Sequence, residues 1–255
     1  MTEARVVAEV ALADGRIPAA VVPGWLEEFG LIAGITTRGA ASEPFDLGLG
    51  GQQPIGKALE RWHQLETAFP GFRAVVIGRQ VHGVAVRWHQ APTGLAMFRD
   101  TDGHATQTAG VLLAVSAADC IPVYLVDPVG RAVGLLHAGW RGTAGGILRR
   151  GIEALVAGAG SRLEDLVVHC GVGICGACYP VSGEVGAACG RPPARPGSLF
   201  LDLRSVLAQQ ASDQGVRRVS VSSECSAHQP DRYLSHRGSG GAAGRMVAFL
   251  GFPER

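Results

Sequence analysis

A chain of 255 residues with 47% hydrophobic residues is long enough to bury a sizeable core. The formal net charge of +1 and the charged fraction of 18% leave no broad basic field, which argues against nucleic acid or an anionic membrane as main partner and points to a small molecule. The first ten residues contain acids and lack the uncharged apolar core of a secretory signal, and the longest apolar stretch, Val111 to Val126, is interrupted by Asp119; no membrane span and a cytoplasmic location are expected.

Period-two and short apolar runs predict strands at Arg5 to Leu12 and Leu31 to Thr37. A helix follows at Lys57 to Phe69, with Leu59, Trp62, Leu65 and Phe69 on one side and Pro70 as a stop. Strands at Arg73 to Gly78, Val111 to Val115, Pro122 to Val126 and Ala132 to His137 come next. Leu148, Ile152, Leu155 and Val156 give the spacing of a helix over Thr143 to Ala157, ended by Gly158. Strands at Leu166 to Cys170 and Arg217 to Val221 and a helix at Arg204 to Asp213 complete the series. The loop-rich stretches Gly190 to Gly197 and Gly238 to Gly244 are too short to link domains, and there is no internal repeat. The expectation is therefore one α+β domain over residues 1–255, a large mixed sheet flanked by helices, as a monomer or small homo-oligomer.

The most informative segment is ADCIPVYLVDPVGRAVGLLHAGWRGT, Ala118 to Thr143. Two apolar runs flank Asp127-Pro128-Val129-Gly130, which has the residue preferences of a type I turn: Pro presets φ and the Asp side chain accepts from the turn backbone. If Asp127 faces Gly130, the ladder continues until Cys120 stands opposite His137. Directly opposed Cβ atoms lie about 4.5–5.5 Å apart, close enough to share a metal or a proton. A bulge at Pro122 or in the turn would shift this register.

His82, in GRQVHG at the end of a strand, is a third candidate, although local sequence ties it to nothing and such a histidine is commonly packed or exposed. Together His82, Cys120 and His137 would offer two imidazoles and a thiolate, a donor set that suits Zn²⁺ and leaves its fourth position open for catalysis. A thiolate also holds copper; zinc is preferred because no soft fourth ligand is evident.

Beyond His137, the helix start expected at Thr143 gathers backbone N–H groups and Arg141 near the metal, a phosphate site in one reading and an ordinary turn with a surface ion pair in the other. Asp119 should face away from Cys120 and reads as a core carboxylate. Arg38, Arg79, Ser235, His236 and Arg237 stand at loop edges where they either line a pocket or meet solvent.

Six cysteines in a chain of this length are too few for a disulfide framework and stay available as thiols. Cys175-Gly-Ala-Cys178 with Cys170 resembles half of a zinc ribbon, but no second cysteine pair follows, since Cys189 and Cys225 stand alone. Small buried apolar cysteines are the expected reading.

Read in order, GITTRG (34–39), RQVHG (79–83), TDG (101–103), ADCIPVYLVD (118–127), HAGWRGT (137–143), CGACYPV (175–181), LDL (201–203) and SHR with GR (235–237, 244–245) resemble the YfiH family. Its members are also called laccase-type multicopper polyphenol oxidoreductases or purine nucleoside phosphorylases. The resemblance spans nearly the whole chain and is most specific in ADC and HAGWRGT. It implies a single α+β domain and a zinc site on His82, Cys120 and His137. It further implies phosphorolysis of adenosine, inosine and methylthioadenosine to base and pentose 1-phosphate, with hydrolytic deamination of adenosine.

On that reading Cys120, His137 and Arg141 carry the chemistry, and Arg38, Arg141, Thr143 and Arg237 hold phosphate or nucleoside. The loop at 41–56 and the sequence Ser235-His236-Arg237-Gly238 depart from the family pattern, which bears on substrate preference. Three other readings stand beside it: a Cys–His hydrolase acting on a cell-wall precursor amide, a laccase-like copper polyphenol oxidase, and a non-enzymatic binding protein stabilised by its metal.

Overall fold

A computed structural model describes residues 4–13, 15–50, 53–195 and 197–254. Gly51 and Gln52 of the atypical loop, and Pro196 of the Gly190–Gly197 stretch, lie outside the described residues. The chain forms an α+β fold with two seven-stranded mixed sheets where one large sheet was expected, plus a two-stranded ribbon. In the first sheet the strands run in the order Arg5–Val7, Arg218–Ser222, Val167–Cys170, Ile121–Asp127, Ala132–Ala138, Gly103–Thr106, Val86–His89. In the second the order is Val10–Ala11, Ala19–Val21, Ile32–Thr36, Met246–Gly251, Val111–Ala117, Ala74–Gly78, Gly94–Phe98.

The two sheets pack face to face, and helices cover their outer faces, giving four layers. Side-chain alternation along the central strands decides this. Val111, Leu113 and Val115 join Tyr124, Val126, Val133 and Leu135 in the core between the sheets. Their neighbours Leu112 and Ala114 turn outward beneath the helix Ile55–Ala68, against Trp62 and Leu65. Val123, Leu125 and Leu136 turn outward beneath the helices Ile147–Ala159 and Leu203–Asp213. A strand buried on both faces reads as an unbroken apolar run, and that is how 121–126 and 132–136 read. Tyr124 donates its buried hydroxyl to the Gly34 carbonyl of the opposite sheet at 2.8 Å.

Most predicted elements are present within two residues of their expected ends. The predicted Arg5–Leu12 strand is two short strands in different sheets, because Glu9 turns inward to meet His169 Nε2 at 3.0 Å and to accept from the Ser222 hydroxyl at 2.6 Å. The predicted Thr143–Ala157 helix is two helices, Trp140–Gly145 and Ile147–Ala159, broken at Gly146 (φ 84°). Gly158 is not its stop: it lies inside the second helix, where a Cβ would come within 2.5 Å of the Trp88 ring, and Gly160 caps the end. The central strand Met246–Gly251 was not anticipated. No helix among the described residues is long and apolar enough to cross a membrane.

Candidate active site and metal centre

The hairpin 121–138 forms, but its register differs from the expected one. Asp127 pairs with Ala132, and Pro122, not Cys120, stands opposite His137. The turn explains the shift. Asp127 Oδ1 accepts from the N–H groups of Val129 and Gly130 at 3.0 and 2.8 Å, as expected of an Asx turn, but Arg131 adds a fourth loop residue in the left-handed region (φ 50°). Four-residue loops built on a type I turn are a common hairpin closure, and here the closure moves the register by two residues. Pro122 fits because its carbonyl, accepting from Gly171 N–H, points away from the 132–138 strand. Cys120 therefore sits just before the strand, in the crossover Ala118–Cys120 that carries the chain from one sheet to the other. That crossover passes through Asp119 at φ 91°.

Despite the shifted register, ligand atoms of His82, Cys120 and His137 all lie within 4.8 Å of one another. What gathers them is Asp102, a fully buried carboxylate. Its Oδ2 accepts from Val81 and Gly83 N–H at 3.1 and 2.9 Å, and its Oδ1 from His82 N–H at 2.9 Å and His137 Nδ1 at 3.0 Å. Its own carbonyl accepts from His137 N–H at 2.7 Å. One residue thus holds His82 in a left-handed conformation (φ 60°) and fixes the His137 ring so that Nε2 is left for a ligand. Gln80 clamps the same loop to the 111–117 strand, donating to the Ser116 carbonyl at 2.8 Å and accepting from Ser116 N–H at 2.7 Å.

Burial works against charge at Cys120, His137 and Asp102, and specific partners overcome it. Burial raises the Cys120 thiol, but His137 and His82 outweigh it and bring it down to about 6. Burial lowers His137, but the Cys120 sulfur and Asp102 raise it to about 9. Asp102, too, is held below the ordinary carboxylate value, since bonds from His137, Gly83 and Val81 exceed the cost of burial. A thiolate beside two imidazoles, one of them oriented by a carboxylate on its far nitrogen, is a zinc-type donor set with an orienting outer partner. The three residues present fit a bound metal ion.

Space for the ligands is tight on one side. A Cβ on Gly139 would sit 3.0 Å from Cys120 Sγ and 3.1 Å from His82 Cδ2, so this position admits only glycine without moving two ligands. On the other side the triad opens into a cavity of about 980 Å³ lined also by Arg79, Trp140, Arg141, Tyr179 and Arg237. Arg141 stacks on Trp140 at 4.5 Å and Arg237 on Tyr179 at 5.1 Å. Neither arginine has a carboxylate partner among the described residues.

Two residues expected at the phosphate site lie elsewhere. Thr143 is not a helix start: its N–H bonds the Gly139 carbonyl within the short helix, and the residue is fully buried outside the cavity lining. Arg38 donates to the Pro230 carbonyl at 2.8 Å and, with Glu43 and Lys57, lines an adjoining cavity that shares Ala242, Ala243 and Gly244 with the first. Asp119 is the core carboxylate expected, accepting at 2.6 Å from the hydroxyls of Ser226 and Ser235 and from Arg237 N–H. It is the anchor that holds the Ser235–Arg237 wall against the ligand crossover. The sequence reading missed Asp102, although TDG had already marked it.

Cys175 and Cys178 are not buried core thiols, as expected, but partly exposed. Cys170, Cys189 and Cys225 are the buried cysteines, and burial raises the thiols of Cys170, to about 12, and of Cys189.

The sequence profile described as "Multi-copper polyphenol oxidoreductase laccase" matches residues 34–253. The chain belongs to this family, the YfiH family. It is 40% identical over 193 residues, 72% of this chain and 74% of the relative, to a protein named purine nucleoside phosphorylase from Deinococcus radiodurans. It is 35% identical to "Purine nucleoside phosphorylase YlmD" of Geobacillus stearothermophilus, over 88% of this chain and 91% of the other. The crystal structure of that YlmD superposes with a TM-score of 0.84, 29% identity, and coverage of 98% of this chain and 100% of the other. The YfiH protein of Bacillus licheniformis superposes with a TM-score of 0.83 at 26% identity, covering 94% and 98%. The family name thus points to copper oxidation, whereas the curated relatives are named for phosphorolysis.

Proposed function

We propose that this protein is a zinc-dependent purine nucleoside phosphorylase. It converts adenosine, inosine or methylthioadenosine with phosphate to base and pentose 1-phosphate, and it also deaminates adenosine. The observation that carries the proposal is the pairing, in one cavity, of the His82–Cys120–His137 donor set with two arginines that lack carboxylate partners, Arg141 and Arg237. Oxidation of phenols would give those arginines no task; a phosphate dianion does. The names of the relatives support the same reading.

His82, Cys120 and His137 would hold the metal, and zinc bound there supplies Lewis acidity at an open fourth position. In phosphorolysis a phosphate oxygen attacks C1′ while the C1′–N9 bond breaks and the electron pair leaves with the purine, which takes up a proton. Arg141 and Arg237, their guanidinium planes fixed by the rings they stack on, bind and orient the phosphate for that attack. Trp140, Tyr179 and Ile174 give the heterocycle an apolar surface and exclude water from it. Deamination replaces the C6 amino group with water's oxygen and releases ammonia, in the same cavity. Incubation with adenosine, with and without phosphate, tests both: adenine and ribose 1-phosphate form only with phosphate, and inosine forms without it. Absence of every product from metal-replete protein would sink the proposal.

A second reading has its own observation. In metal-free protein the thiol pulled down to about 6 beside an imidazole raised to about 9 forms an ion pair like that of Cys–His hydrolases. In that reading Cys120 attacks an amide carbonyl and His137 protonates the leaving amine. Chelation separates the two: a thiol hydrolase survives removal of metal and is abolished by iodoacetamide, whereas the phosphorylase loses activity with its metal.

A further inference from the structure

On the outer side of the wall that faces the catalytic cavity, a second cluster gathers. Sγ of Cys175, Cys178 and Cys225 and a ring nitrogen of His228 lie within 4.8 Å of one another. We propose that these four residues form a second metal site, a closed structural zinc centre separate from the catalytic triad.

The sequence spacing carries the first part of the argument. Cys175-Gly-Ala-Cys178 is followed by Cys225-Ser-Ala-His228, so the partner of the CxxC pair is a CxxH pair. Two such pairs, brought together from distant parts of a chain, are the ligand pattern of Cys₃His zinc sites. Each pair sits on a turn that points both ligands the same way. Cys178 N–H bonds the Cys175 carbonyl at 3.0 Å, and Gln229 N–H bonds the Cys225 carbonyl at 3.2 Å.

The second part is that the two turns are docked by backbone bonds that do not need the metal. Gly173 and Cys225 form a parallel bridge, and Ser226 N–H donates to the Gly173 carbonyl at 3.0 Å. Cys175 N–H points at Cys225 Sγ at 3.3 Å, the kind of N–H···S contact that stabilises a thiolate, and Cys175 Sγ is 3.6 Å from His228 Nδ1. Around a tetrahedral ion with Zn–S of about 2.3 Å and Zn–N of about 2.0 Å, neighbouring donor atoms stand roughly 3.5–3.8 Å apart, so no donor pair needs to close by more than about 1.3 Å. The four donors would complete the coordination sphere and leave no open position, which assigns the centre to structure and not to reaction. Three thiolates exclude the hard cations and favour zinc.

What the clamp would hold is the cavity wall. The 173–181 segment carries Tyr179, and the segment after His228 carries Ser235 and Arg237; the two touch where Arg237 donates to the Pro180 carbonyl at 3.1 Å. A zinc ion joining them fixes the stacked Arg237–Tyr179 pair from behind.

The test counts metal in protein purified under reducing conditions, by mass spectrometry of the metal and by cobalt substitution. The wild-type chain is expected to hold about two zinc equivalents, Cys178→Ser and His228→Ala about one each, and Cys120→Ser about one. The intense thiolate-to-cobalt absorption of a three-sulfur site should vanish in Cys178→Ser and persist in Cys120→Ser. His228 is exposed, so His228→Ala removes a ligand without opening the core and keeps the test valid if Cys178→Ser misfolds. Equal metal content in wild type, Cys178→Ser and His228→Ala overturns the proposal, as does a disulfide between any two of the three cysteines after rapid alkylation. The Cys120→Ser arm reports on the catalytic triad alone, so failure there leaves the second site standing, and the reverse.

Discussion

Replacing Asp102 by asparagine keeps the volume and changes one oxygen to NH₂, and the structure leaves that group no good place. Pointed at Val81 and Gly83, it faces two N–H donors and forfeits two charge-assisted bonds from the loop that holds His82 in its left-handed conformation. At about 1.5–3 kcal/mol each, that is about 3–6 kcal/mol, against a total stability of roughly 5–15 kcal/mol for a typical fold. Pointed the other way, it loses the His82 N–H bond and becomes a donor to His137 Nδ1, which moves the imidazole proton to Nε2 and removes the lone pair a metal needs. Either orientation weakens the metal site, by roughly 10–100-fold as is usual for loss of an orienting outer partner. Urea unfolding of metal-free protein and competition titration with a zinc chelator measure the two effects separately. If Asp102→Asn matched the wild type within about 1 kcal/mol in the first and about threefold in the second, Asp102 would not be the organiser of the site.

Gly139→Ala should lower metal occupancy and activity together while leaving the far-ultraviolet circular dichroism unchanged, because the added Cβ meets Cys120 and His82 directly. Arg141→Ala and Arg237→Ala should each raise the KM for phosphate about tenfold or more and leave zinc content intact, read by phosphate titration of adenosine phosphorolysis. Burial, with help from Arg87, holds His89 near 4, and burial, with help from His89 and Arg87, holds His104 near 3; their ring nitrogens meet at 2.9 Å. Both stay neutral in the folded chain while the unfolded chain takes up protons below about 6.5, so their contribution is intact above that pH and lost as pH falls toward 4. At pH 5 the loss is about 2 kcal/mol per histidine, and urea midpoints at pH 7 and 5 should show a decline that His104→Asn reduces. Tyr124→Phe should cost about 1 kcal/mol by removing the hydroxyl bond between the sheets, measured by the same unfolding.

Much of the architecture was legible because both faces of the central strands are buried: apolar runs such as Val123–Val126 and Val133–Leu136 announce themselves. Met246–Gly251 was missed although it lies between the glycine-rich 238–244 stretch and Pro253, because six apolar and small residues without polar alternation do not by themselves declare a strand. The meeting of Cys120 with His137 was foreseen from the turn, but through a register two residues out, since nothing in Gly130-Arg131 announces that Arg131 adopts a left-handed conformation. His82 carries no local sign of its role; Asp102, twenty residues on, supplies the reason, and contacts at that separation are invisible to pattern reading. Cys225 looked solitary because a second cysteine was sought beside it, while its companion is His228.

The crossover at Ala118–Cys120 has a consequence for how this protein tolerates change. His82 hangs from the end of one sheet, His137 belongs to the other, and Cys120 lies on the bridge between them, so the spacing of the three donors measures how the two sheets are aligned. A methyl group lost from Leu113 or Leu135, in the interior and far from any substrate, lets one sheet settle on the other and is felt as a change in metal affinity. Drift in that shared interior is therefore policed by chemistry, whereas the loop residues 41–50 and 238–244 supply none of the three donors and lie outside the gauge.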